Sequence, residues 1–213
     1  MPMENQTKTL GERTDCMLYY AEPVLPNEQG AGWIGGNAPA FFDDQADFIR
    51  EGNQIYYFYL CLIHPFKPES MISIFIPGDY ETYLEHNIFP DCRVKVIEHP
   101  VSAESIKELF THPGLAKHAI SDGQISKDNE SMDESFLIKL GGNPRLIQTE
   151  DYYFSKLREE SFSFLFQVDE DGYPEALVRN DFSYPFGYGA LYIFAKIEGD
   201  DIQQPAAGFW QFS

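Results

Sequence analysis

Gly35-Gly36-Asn37 and Gly141-Gly142-Asn143 are the same tripeptide, 106 positions apart (35 to 141). The first sits in Trp33-Ile34-Gly35-Gly36-Asn37-Ala38-Pro39, the second in Lys139-Leu140-Gly141-Gly142-Asn143-Pro144. Paired glycines permit positive φ and a following proline blocks a helix, so each reads as a turn that sets up a strand. The same offset carries Phe58-Tyr59-Leu60-Cys61-Leu62 onto Phe164-Leu165-Phe166-Gln167-Val168. Both are core-strand sequences. Ile72-Ser73-Ile74-Phe75 and Leu191-Tyr192-Ile193-Phe194 then match at a larger offset, and each is followed shortly by Gly-Asp, at 78–79 and 199–200. The difference in offset falls in the Pro/Gly/Tyr-rich excursion 173–188.

Features in the same order at matched spacing point to a duplicated unit. The expected fold is α+β and mainly antiparallel β. It has two diverged β-rich repeats with a few short helices, packed about a pseudo-twofold axis. Residues 1–29 read as a lead-in with a first short strand at 17–20. Residues 30–119 read as the first repeat, 120–135 as an acidic connector and 136–213 as the second repeat, in one compact body. Further strands are expected at 55–63, 71–76, 93–97, 162–168, 190–197 and 208–212. Short helices or turns are expected after Asp43-Asp44, after Ser102, where Ile106, Leu109 and Phe110 have helical spacing, and at about 149–157. The cleft between repeats is a natural place for a ligand.

The 213 residues carry 34 acidic and 15 basic side chains, a formal charge of −19. Such a surface repels nucleic-acid phosphates and anionic membranes and attracts basic proteins, although solubility alone also accounts for it. Cys16, Cys61 and Cys92 are far apart and form no CxxC pair, which fits a reducing cytoplasm better than a disulfide scaffold. The first fifteen residues lack the apolar core of a signal peptide, and no run of eighteen apolar residues occurs. A cytoplasmic location is the expectation.

No catalytic, metal or cofactor site is expected. HExxH is absent, and His118 with Asp122 would meet only on a helix, without further ligands. Asp43/Asp44, Asp169-Glu170-Asp171 and Asp200-Asp201 lack EF-hand spacing and read as solvated turns. GxSxG is absent, Cys61 and Cys92 lack an activating setting, and the Gly-Gly-Asn turns continue into neither GxGxxG nor GK[ST]. What remains is an acidic surface with tyrosines in it. Tyrosine rings bury area while carboxylates steer a basic partner. The candidate partner-binding residues are Asp169, Glu170, Asp171, Tyr173, Asp181, Tyr184, Phe186 and Tyr188. The alternative is that these rings, with Tyr152 and Tyr153, fill the β core.

Lys139-Leu140-Gly141-Gly142-Asn143-Pro144, Phe164-Leu165-Phe166-Gln167-Val168-Asp169 and Gly189-Ala190-Leu191-Tyr192-Ile193-Phe194 resemble motifs of the YwqG-like family of bacterial proteins, which has no agreed biochemical function. The 33–39 segment resembles that family's first-half motif, so the likeness runs from about residue 30 to the end. The chain departs from the family in having Phe41-Phe42-Asp43-Asp44 where Trp-Pro is frequent, and Phe186-Gly187-Tyr188 where Trp-Gly-Asp is frequent. Some members are encoded beside secreted toxins. The resemblance implies an immunity or interaction role; together with the −19 charge and the absent catalytic set, the expectation is a non-enzymatic, protein-binding immunity protein that neutralises a cationic toxin, for instance a nuclease. A small-ligand or regulatory module using the cleft between repeats is the alternative.

Overall fold

Long runs of aromatic and branched side chains build the strands. Tyr56–Ile63 is one such run, with side chains of both faces buried. The structure, a computed structural model, describes residues 14–24, 30–79, 86–128, 134–199 and 201–213. Most of the expected lead-in, residues 129–133 of the connector, and Asp200 with its Gly-Asp and Asp-Asp pairings lie outside the described residues. The strands are β1 (Asp15–Tyr19), β2 (Ala21–Glu22), β3 (Gly32–Ile34), β4 (Tyr56–Ile63), β5 (Ser70–Pro77) and β6 (Lys95–Pro100). They continue as β7 (His118–Ile120), β8 (Gln124–Lys127), β9 (Ile138–Leu140), β10 (Ser163–Asp169), β11 (Gly189–Glu198) and β12 (Asp201–Phe212).

Two antiparallel six-stranded sheets result, ordered β6-β5-β4-β3-β7-β2 and β12-β11-β10-β9-β1-β8. Adding six to each strand number of the first, cyclically, gives the second. The protein is therefore an α+β fold of two diverged β-rich repeats in pseudo-twofold relation. Each sheet takes five strands from one half and its fifth-ranked strand, β7 or β1, from the other. By strand order the halves begin at β1 and β7, so the lead-in and the connector each contribute strands.

The correspondence holds at single hydrogen bonds. Gly35 N donates to Tyr59 O and Gly141 N to Leu165 O, both at 2.8 Å. Ala31 N donates to Ile120 O at 2.8 Å, and Leu137 N to Tyr19 O at 2.9 Å. A bulge falls between Phe58 and Leu60 in β4, and between Phe164 and Phe166 in β10. All four turn glycines have φ between 62° and 74°, a region where a Cβ is strained. Each turn also receives a carboxylate held by a lysine. Asn37 N donates to Glu104 (2.9 Å), which pairs with Lys117 (2.7 Å). Asn143 N donates to Asp128 (2.5 Å), which pairs with Lys139 (3.0 Å).

The main core lies between the sheets, where Leu60, Ile72 and Ile74 meet Phe166, Ile193 and Trp210. The outer face of the first sheet packs Trp33, Phe58 and Phe75 against Phe42, Ile49 and Phe110. Ala40–Asp43 and Ala46–Phe48 are 3-10 turns of that cover. The outer face of the second sheet packs Phe164, Tyr192 and Phe209 against Tyr153 and Leu157, the latter on the short helix α1 (Ser155–Glu159).

The helix expected after Ser102 does not form. Side-chain bonds hold that segment open across the sheet: Phe41 N donates to Ser102 Oγ (3.0 Å), Ser105 Oγ to Asp43 (2.7 Å), and Asn37 Nδ2 to Ser105 O (3.0 Å). Phe110 is buried there, while Ile106 is 95% exposed.

Candidate functional site

β10 and β11 are joined by residues 170–188, whereas β4 and β5 are joined by 64–69 alone. The longer connection crosses to the first half. Ala116 N donates to Leu177 O (2.7 Å), Arg179 N to Gly114 O (2.8 Å), and Leu115 bridges Val178. Leu177 is fully buried. Near the crossing, the Phe182 ring stands 6.3 Å from His112.

The eight candidate residues divide by position. Asp169 is half-buried at the end of β10. It caps the 3-10 turn Glu170–Gly172 by accepting from Asp171 N (3.2 Å), and it also accepts from Gln167 Nε2 (3.2 Å). Burial pushes its carboxyl above the ordinary range, and these two bonds oppose that. Glu170 is half-buried, while Asp171 and Asp181 are exposed. Tyr173 is half-buried. Its hydroxyl meets that of Tyr59 from the first half and donates to Pro185 O (2.8 Å). Tyr184 stacks on Tyr173 at 5.7 Å between centroids and is 37% exposed. Tyr188 is 78% exposed.

Phe186 departs from the expectation. It is 1% exposed, wedged 5.5 Å from Tyr59 and 5.9 Å from Trp210, and so belongs to the core. The reason is local. Phe186 adopts φ 57°, turning its ring inward, and Tyr188 adopts φ 58° two residues on. Asp181 has φ 73°. Three non-glycine residues in the left-handed region within eight positions store strain on the order of 1 kcal/mol each. The exposed side chains of this loop include Tyr184, Tyr188, Phe182, Asp171, Glu175 and Asp181, and Arg179 is the one basic residue of 169–188.

The region between the repeats, expected as a cleft, is filled by the main core. A cavity of about 300 Å³ lies instead on the outer face of the first sheet, beside Trp33. An open groove of about 460 Å³ lies at the end of β4 and β5, beside Tyr57 and Gly78.

One pairing had no signal in the sequence. Ser73 Oγ and His99 Nε2 are 2.8 Å apart, and His99 Nδ1 faces Pro100 O at 2.8 Å. The geometry resembles a nucleophile and its base. Both residues are nevertheless buried, and His99 is sandwiched by Phe41 and Phe42, so a substrate has no approach. The bonds satisfy buried polar groups. Cys16 and Cys61 are buried free thiols, and desolvation raises their pKa values and that of Cys92, the last to about 12, opposite to activation. Among the described residues no three His, Cys, Asp or Glu side chains converge as a metal site, and no helix is long and apolar enough to cross a membrane. No protein-family model matches the chain, and neither does any curated protein.

Proposed function

We propose that the chain is a cytoplasmic binding protein. In this reading it recognises a cationic protein through the face formed by 169–188 and neutralises it, as an immunity protein does a toxin. The observation that carries the reading is a loop anchored to the core that presents exposed aromatics. Phe186 and Tyr173 fasten the excursion to the core, while Tyr188 is held outward at 78% exposure in a strained backbone conformation. Anchored tyrosines lose little entropy on binding. Asp171, Glu175 and Asp181, exposed in the same loop, supply the charge that steers a basic partner. The net charge of −19 and the likeness to YwqG-like motifs support the same reading.

The test is calorimetric titration of the chain with the protein encoded beside it, at low and at high salt. Tight binding that weakens steeply with salt, and that drops at least tenfold in a Tyr184→Ala/Tyr188→Ala variant, is the expected outcome. Absence of binding at low salt contradicts it.

A further inference from the structure

The repeat correspondence extends to Gly30 and Phe136, one residue before the matched Ala31 and Leu137 bonds. In the second half, Phe136 is buried against Cys16 and Leu18 of β1, and the Arg145 guanidinium lies 4.8 Å over its ring. By register, Leu18 opposite Lys139 corresponds to Ala119 opposite Trp33, and Cys16 corresponds to Lys117. In the first half Gly30 stands where the other half has Phe136, so among the described residues that ring has no counterpart. Gly30 lies so close to β7 that a Cβ would stand 2.0 Å from Ile120 O, and Ala119 is smaller than Leu18. What remains is the cavity of about 300 Å³, lined by Trp33, Ile63, Met71, Ala119 and Val101, with Lys117 and Glu104 at its wall.

We propose that this cavity binds a small aromatic carboxylate. It is separate from the partner-binding face. The volume accommodates a substituted phenyl ring, and the other half holds a phenyl ring at the corresponding position. Trp33 and Met71 offer a ring face and a thioether for aromatic contact. The polar end of the ligand is set by Lys117. Its ammonium is 5.4 Å from the Trp33 centroid and 2.7 Å from Glu104, with donors left for an anion. Glu104 is already committed, one oxygen to Lys117 and the other to Asn37 N. The Asn37 N–H and the Lys117 ammonium thus both offset the Glu104 charge beside the place where the ligand's carboxylate arrives.

The experiment follows the two tryptophan indole N–H resonances during titration with phenylacetate and, separately, phenylacetamide, assigned through Trp33→Phe. Saturable movement of the Trp33 signal, with that of the core residue Trp210 unmoved, is expected. Ala119→Leu places in the cavity the side chain found at the corresponding position of the other half, and should abolish the response while the chain still unfolds cooperatively. Lys117→Met should weaken phenylacetate about tenfold and leave phenylacetamide unchanged. No saturable movement at Trp33 overturns the proposal, as does undiminished binding in Ala119→Leu. Equal affinity for phenylacetate and phenylacetamide in the unmodified chain overturns the assignment to a carboxylate.

Discussion

His64, His99 and His112 are buried, and desolvation pushes all three imidazoles below their ordinary pKa, His112 to about 4. The bonds of His64 and His112 also require an unprotonated Nδ1, whereas His99 is held neutral by desolvation alone, against its bond to Pro100 O. Nδ1 of His112 accepts from Gly114 N (3.0 Å), and Nδ1 of His64 accepts from Phe66 N and Lys67 N. The unfolded chain, with histidines near 6.5, takes up protons more readily than the folded one. The stability these rings confer is therefore complete above about pH 6.5 and is lost as pH falls toward 4. For His112 alone the loss across that window is roughly 2–3 kcal/mol. Urea midpoints measured at several pH values should fall in it, and the slope should be shallower in His112→Gln. Phe186 also belongs at this scale. Its aromatic type was legible as a candidate contact, but its direction depends on a φ of 57° that residue type does not announce.

At the scale of elements, the two lysine–carboxylate pairs behind the Gly-Gly-Asn turns test how far burial decides energy. Lys139 is fully buried and donates to Asn143 O (2.5 Å) and Gly141 O (3.2 Å) as well as to Asp128, whose side chain is 9% exposed. Lys139→Met strands the Asp128 carboxylate and should cost about 3–5 kcal/mol in urea unfolding. Lys117→Met breaks a pair whose side chains are 32% and 28% exposed, and should cost less than about 1 kcal/mol. The turns themselves were legible, because positive φ at two successive positions calls for glycine. β4, β5, β10 and β11 were legible as apolar runs. β8 was not: Gln124–Lys127 is a polar edge strand with Ile125 44% exposed, which has the composition of a loop. The helix expected after Ser102 rested on local spacing, and bonds from Asn37, Phe41 and Asp43, sixty or more residues away in the chain, overrode it.

Over the whole molecule, the duplicated order was legible and the exchange of β1 and β7 between sheets was not, since it rests on pairings such as Leu18 with Lys139 that no periodicity encodes. The exchange makes each sheet incomplete without the other half. It also explains why the space between the repeats is core rather than cleft. Interaction is thereby left to outer faces and loops, where 170–188 is a marked departure from repeat symmetry, much longer than its counterpart 64–69. Under the proposed function, the acidic charge of 34 against 15 residues would draw a cationic partner from a distance, and the exposed tyrosines would give it a place to settle. Hydrogen–deuterium exchange of the chain, free and bound to the protein encoded beside it, tests that account most directly. New protection concentrated at 181–188 and the adjoining 112–116 is predicted, whereas protection confined to the 3-10 turns 40–48 with 181–188 unchanged would contradict it.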